Sequence, residues 1–327
     1  MKKKTLVAIG LTISALLFGA CSSSQAEKDP QDDKVVIYTN ADEEPVEVIK
    51  NVLDQNGYQD QYVLQSFGTS ELGSKMLSEG TNIEADLVTM STFYLTSAQD
   101  SKKMFKPVNT TLEPLDTIPN YTAPFTVQEG TIFYNTEALK EKGLPIPASL
   151  KDLAKPVYKG ALSISDIKQS STAWLLFQAL IDNYGEKEAK EILADIYKNT
   201  GDHLEASGSG PIKKVRLGEV AIGFGLRHQA VKDKNEGLPI DYVEPTEGTY
   251  SLTESLALVD KGEATNPKAQ KMLNTILTKG RNNLLEIYPS PLYQGEENQD
   301  LDTAAKNKIF PQTLTAELLA EHQKLID

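Results

Sequence analysis

The chain has 327 residues, with 46 acidic against 33 basic side chains, a formal net charge of −13 and a single cysteine, Cys21. That length suits two lobes of ordinary domain size. The acidic balance disfavours nucleic acid as a partner, and one cysteine excludes an internal disulfide and a cysteine-built metal cluster.

Lys2, Lys3 and Lys4 precede an apolar run from Leu6 to Ala20 that ends in LLFGAC. A basic start, a short apolar stretch and small residues before the cut predict an export signal over residues 1–20. The run is too short to span a bilayer as a permanent helix. Its removal would leave the mature chain three charges more negative. LLFGAC resembles a bacterial lipobox, with Phe18 where that motif usually has leucine. The resemblance implies lipidation of Cys21 and attachment to the outer face of the cytoplasmic membrane. The polar, aromatic-free SSSQAEKDPQDD that follows predicts a flexible tether over 21–33.

From Lys34 onward, branched-apolar runs alternate with helical patterns. VVIYTN reads as a strand, EEPVEVIKNVLDQNG as an amphipathic helix closed near Gly57, YVLQSFGTS as a second strand, ELGSKMLSEG as a helix and ADLVTMST as a third strand. This alternation predicts an α/β fold with a mostly parallel sheet. In such sheets ligands bind beyond the carboxyl ends of the strands, so Thr39, Asn40, Gly68, Thr69, Ser70, Ser91 and Thr92 are candidates. Each of these hydroxyls also has a plain reading as a cap or turn residue.

A second set of elements begins after the extended segment leading to Tyr134 and Asn135. GALSISDI reads as a strand, SSTAWLLFQALIDNYG and EKEAKEILADIYKN as two helices, and VAIGFG as a further strand. The loops of this set add Ser170, Ser171 and Thr172, and Ser207, Gly208, Ser209 and Gly210. Trp174 falls among apolar helix residues and reads as core. The segment LPIDYVEPTEGTYSLTESLALVDKG is apolar enough to cross back to the first lobe, and LTAELLAEHQKLI reads as a C-terminal amphipathic helix suited to either lobe.

The order and spacing of VVIYTNADEE, ADLV, GTIFYNTEALKEKGLPIPASLKDLAKPVYKGAL, GEVAIGFGLRHQA and KGEATNPKAQKMLNTILTKG carry a family resemblance. The chain resembles solute-binding lipoproteins of ABC importers in the type II periplasmic-binding fold, in the branch of ferric-ion and 2-aminoethylphosphonate binders. The resemblance implies a first lobe of 34–126 and 245–300, a second lobe of 127–244, and a C-terminal helical segment of 301–327. It also implies crossover strands near Thr126–Thr131 and Asp241–Glu247, hinge closure on a small solute, delivery to an ABC permease, and a monomer. Each lobe is expected to hold a mixed, mostly parallel sheet covered by helices.

The ferric binders of this branch carry a histidine after the first strand and a tyrosine pair after the strand matching VAIGFG. Here Asn40, Ala41 and Asp42 stand at the first place and Leu226 and Arg227 at the second, which disfavours a phenolate-held cation. An ever-charged Arg227 would instead pair with phosphonate, phosphate or carboxylate, so Arg227→Ala is expected to abolish anion binding while leaving the fold intact; the plain alternative is a structural salt bridge with one of the chain's many acids. The first of these makes an organic anion or zwitterion the expected solute. Asp42, Glu43, Glu44, Glu247 and Tyr250 are candidates for the other end of a zwitterion; His228 reads as a helix-start residue or one lying behind the ligand.

Two alternatives stay open: iron held by other oxygens such as those of Tyr134 and Tyr250, and an adhesin on the same scaffold. His203, His228 and His322 have no metal-ligand spacing, and neither HExxH nor GxSxG occurs, so neither catalysis, a resident metal nor a cofactor is expected.

Overall fold

The computed structural model describes residues 34–298 and 302–326; the signal segment, Cys21 and the tether lie outside them. Strand β1 (Val35–Thr39) is buried along almost all its length, as a strand covered on both faces must be. Helix α1 (Glu43–Leu53) buries Pro45, Val48, Ile49, Val52 and Leu53, one stripe at spacings of three and four. Strand β2 (Tyr62–Ser66) pairs in parallel with β1. Helix α2 (Thr69–Glu79) starts at Thr69, capped by Gly68, so Thr69 and Ser70 belong to its first turn rather than to the preceding loop. Strand β3 (Leu87–Ser91) lies on the other flank of β1, also parallel, and α3 (Thr92–Lys102) follows it directly. The short strand β4 (Phe105–Lys106) ends this first run.

Strand β5 (Ala123–Asn135) is long enough to serve both lobes. At its end Asn135 caps α4 (Thr136–Lys142), its side chain accepting from the amides of Glu137 at 3.1 Å and Ala138 at 3.0 Å. Then come β6 (Leu162–Ser165) and α5 (Ser171–Thr200). Every residue from Ser171 to Leu180 is buried, the mark of a helix enclosed on all sides. Gly185, at φ 77°, breaks α5 into two abutting helices where the sequence predicted two. Strand β7 (Leu204–Glu205), α6 (Gly210–Arg216), β8 (Ile222–Leu226), α7 (Arg227–Asn235) and β9 (Ile240–Val243) complete the second lobe. Its β8 pairs in parallel with β6, and β6 with β7, while the second half of β5 is antiparallel to both β8 and β9.

Strand β10 (Thr249–Val259) returns to the first lobe, antiparallel to β3, β4 and the first half of β5. The first-lobe order is therefore β2-β1-β3-β10-β5, continuing through β5 into β8-β6-β7. The return crossing lies on β10 itself rather than at 241–247: Asp241 to Val243 belong to β9. Glu247 is buried and accepts from the amides of Leu150 and Lys151 at 3.0 and 3.1 Å and from the Tyr184 hydroxyl at 2.9 Å. Helix α8 (Pro267–Ile287) packs Met272, Leu273 and Ile276 against the α1 stripe. After β11 (Asn307–Lys308) on β10, the C-terminal α9 (Ala316–Leu325) touches both lobes. The Ala316 amide donates to Ser97 Oγ of α3 at 3.0 Å, and Trp174 Nε1 of α5 donates to His322 Nδ1 at 2.8 Å.

Candidate functional site

The carboxyl ends of β1 and β8 and the N-termini of α2 and α5 converge on one interlobe cavity of about 240 Å³. The first lobe contributes Asn40, Ala41 and Asp42 after β1, and Phe67, Gly68 and Thr69 at the start of α2. The second contributes Gln169 to Thr172 at the start of α5, Ala206 to Gly208 before α6, and Leu226 at the end of β8. Gln128 of β5 and Glu254 of β10 form the floor where the crossing strands pair. A wider depression of about 830 Å³ lies on the outside of the second lobe between Lys151 and Asp195, away from these strand ends.

The lobes meet around this cavity. Ser70 Oγ of the first donates to the Lys168 carbonyl of the second at 2.7 Å, Lys213 Nζ stands 3.7 Å from Glu43, and Asp42 accepts from the Ser209 hydroxyl.

Among the described residues, the lining holds two carboxylates and no lysine or arginine. Burial pushes the Glu254 carboxyl up to about 7; the nearby Asp42 adds to this, while hydrogen bonds from Asn40, Gln128 and Thr126 work against it. Asp42 is pushed up to about 6, again chiefly by burial, with the Ser209 hydroxyl opposing and Glu44 and Glu43 assisting. Asn40 Nδ2 donates to Thr69 Oγ1 at 3.1 Å and to Glu254 at 3.2 Å; Gln128 Nε2 donates to Thr126 Oγ1 at 3.2 Å and to Glu254 at 3.3 Å. Opposite them, the α5 N-terminus carries Ser170, whose Oγ accepts from the Thr172 amide at 3.3 Å, together with the Ser171 and Thr172 hydroxyls. The cavity thus has an acceptor-rich, acidic side and a donor-rich side with the helix-dipole positive end.

Of the predicted residues, Asn40, Asp42, Gly68, Thr69, Ser170, Ser171, Thr172, Ser207 and Gly208 line the cavity, and Ser70 and Ser209 hold its rim, whereas Thr92 starts α3 outside the lining and donates to the Thr253 carbonyl at 2.9 Å. Thr39 and Ser91 are buried outside the lining; Thr39 Oγ1 pairs with Thr89 Oγ1 and receives the Ala41 amide at 3.0 Å, shaping the turn that carries Asn40.

Arg227 and Tyr250 do not line the cavity. Arg227 is buried, and its fork is already engaged: Nη1 donates to the Asp302 carbonyl at 2.7 Å and Nη2 to the Asp302 carboxylate at 2.9 Å, with Glu244 at 3.4 Å and Glu129 at 4.0 Å. The carboxylates that sequence reasoning left unassigned to it come from three remote segments. Tyr250 stacks on Phe310 and donates to Asp182. Gln128 and Glu254, which sequence reasoning missed, sit inside strands with only a polar interruption of an apolar run to mark them.

The profile of the family described as bacterial extracellular solute-binding protein matches residues 85–312. The chain belongs to that family. An uncharacterized protein of Haemophilus influenzae is 30% identical to this solute-binding protein over 196 residues, 57% of this chain and 56% of that one. The spermidine/putrescine-binding periplasmic protein of Escherichia coli is 25% identical over 214 residues, 62% of this chain and 59% of that one. The chain therefore matches somewhat over half the length of these curated relatives. The solved structure of the periplasmic binding protein P5PA superposes with a TM-score of 0.72 at 18% identity, covering 90% of this chain and 97% of that one. The two-lobed type II periplasmic-binding architecture expected from the sequence is the one observed. In this solute-binding protein the lobes also meet behind the cavity: His228 of α7 packs on Tyr288 at the end of α8 with ring centroids 4.1 Å apart, both rings buried.

Proposed function

We propose that this solute-binding protein captures a small zwitterion, with an ammonium at one end and a phosphonate-like anion at the other, and delivers it to an ABC import permease. The observation that carries this reading is the two-sided cavity: Asp42 and Glu254 face the amides and hydroxyls of Ser170, Ser171 and Thr172 across about 240 Å³. The anion needs no arginine, because the positive end of α5 and the hydroxyls of Ser170, Ser171 and Thr172 face it. Contacts to both lobes at once would favour the closed state, the means by which a ligand shifts a hinge equilibrium.

In this reading residues 34–126 with 245–300 act as one jaw, 127–244 as the other, and 301–327 as a C-terminal strap. The protein works as a monomer, held at the extracellular face of the cytoplasmic membrane by a lipid on Cys21. A second reading, a polyamine-like cation, is favoured by a lining that, among the described residues, holds two carboxylates and no lysine or arginine. Iron is less favoured, since neither Tyr134 nor Tyr250, nor any histidine, lines the cavity.

Thermal unfolding of ligand-free protein with 2-aminoethylphosphonate, putrescine, phosphate and ferric citrate tests these readings. A rise with the aminophosphonate that exceeds those with putrescine and phosphate supports the zwitterion. A rise with putrescine alone replaces it by the cation, and colour with ferric citrate replaces both by iron.

A further inference from the structure

Behind the cavity a buried ring from each lobe forms the contact. His228, the second residue of α7, packs on Tyr288 at the end of α8, and the two are 6% and 1% exposed. An apolar ring would fill this place at no polar cost. Histidine instead leaves both Nδ1 and Nε2 buried without a hydrogen-bond partner, and the Tyr288 hydroxyl is in the same position. Unmet polar atoms penalise the state that buries them, and here that is the state in which the lobes touch.

The surrounding charges decide which protonation state fits. In the second lobe, Lys232 of α7 and Arg216 of α6 disfavour a positive ring, and Asp233 is already paired with Arg216 at 2.5 Å. Arg227 engages Glu129 of β5, Glu244 and Asp302, and Lys234 engages Asp241 of β9. In the first lobe, Asp42, Glu254 and Glu44 act on Tyr288, yet among the described residues no carboxylate accepts from either imidazole nitrogen. Burial first, and the two cations second, therefore keep the ring neutral down to about 3 against an ordinary 6.5. A depression of about 920 Å³ opens beside it, lined by α1 and α8 on one side and α7 on the other. Parting α7 from α8 would wet both rings.

We infer that His228 is a positioning residue for capture: closure seats its ring uncharged against Tyr288, so a proton on His228 holds the lobes apart. This rests on hinge closure around the cavity, whichever solute fills it. With the lobes parted the imidazole takes a proton below pH 6.5, and closing must expel it. Affinity is thus full above 6.5 and falls about tenfold per pH unit below it.

The first test is an NMR titration of the histidines of purified protein from pH 8 to pH 5, ligand-free and then saturated with 2-aminoethylphosphonate or putrescine. The signals lost in His203→Gln and in His322→Gln leave the third as His228. It should titrate near 6.5 in ligand-free protein and stay neutral throughout with a probe bound. A ring that stays neutral without a probe, or titrates near 6.5 with one, overturns the inference. Binding of neither probe sinks the solute readings above and leaves the ligand-free titration to judge this inference by the same midpoint. The second test is calorimetry at pH 7.5 and 5.5 on wild type and on His228→Phe with an unchanged circular dichroism spectrum. Ionisation of the probe, Asp42 and Glu254 is common to both proteins, so wild-type affinity should fall about tenfold more than that of the variant; an equal fall overturns the inference.

Discussion

Glu254→Gln tests the electrostatics of the cavity floor most directly. The wild-type carboxyl is held at about 7 against an ordinary 4.5, chiefly by burial. A raised carboxyl means that between pH 4.5 and 7 the folded state holds a proton that the unfolded state has lost. Stability from this group is therefore present below 4.5 and is lost as pH rises through 7. At 1.36 kcal/mol per pKa unit the full loss is about 3 kcal/mol. Glutamine keeps the shape and cannot ionise, but its NH₂ replaces one carboxyl oxygen and so faces one of the donors, Asn40 Nδ2 or Gln128 Nε2, at a cost of about 1 kcal/mol.

The ligand-free variant should thus be about 1 kcal/mol less stable than wild type at pH 4.5 and about 2 kcal/mol more stable at pH 8. Urea unfolding of both proteins at pH 4.5, 6 and 8 measures this, and differencing removes the contributions of groups that do not interact with Glu254, leaving its own and its coupling to Asp42. A variant-minus-wild-type difference that stays constant across that range would refute the reasoning.

Gly208→Ala should abolish binding of an anionic solute with little loss of helix content, because the added methyl would collide with Thr172 Oγ1 inside the cavity; retained affinity in calorimetry would remove the α5 start from the site. Arg227→Ala should cost about 3 kcal/mol in urea unfolding by leaving the buried Glu129 carboxyl without its cation, and a variant as stable as wild type would contradict this. His228 is held down to about 3, first by burial and then by Lys232 and Arg216. Of the three histidine signals in an NMR titration of the closed protein, its own should stay at the neutral position from pH 8 to pH 5; a midpoint near 6.5 would show that it is open to solvent.

The strand-end residues were legible because a parallel strand leading into a helix places polar side chains at a predictable spot, as Asn40, Thr69 and Ser170 do. The floor was not, because Gln128 and Glu254 acquire their role from the pairing of two strands whose register no local pattern records. Tyr250 has the same strand parity as Glu254, yet four residues of strand put it about 13 Å away. Arg227 was misplaced for a related reason. Its nearest sequence neighbours include no acid, and Glu129, Glu244 and Asp302 reach it only through β5, the loop after β9 and the C-terminal segment.

The chain's single tryptophan sits where three bodies meet. Trp174 of α5 lies edge-on to Phe93 of α3, with centroids 5.0 Å apart at 71°, and donates to His322 of α9. One neighbour belongs to the first lobe, its own helix starts at the cavity, and the other neighbour belongs to the strap across both. Any rotation that parts the lobes must change the surroundings of this indole, so the protein carries its own fluorescent gauge of closure. If capture closes the lobes as proposed, stopped-flow emission on unlabelled protein would follow it and separate the rate of docking from the rate of closing.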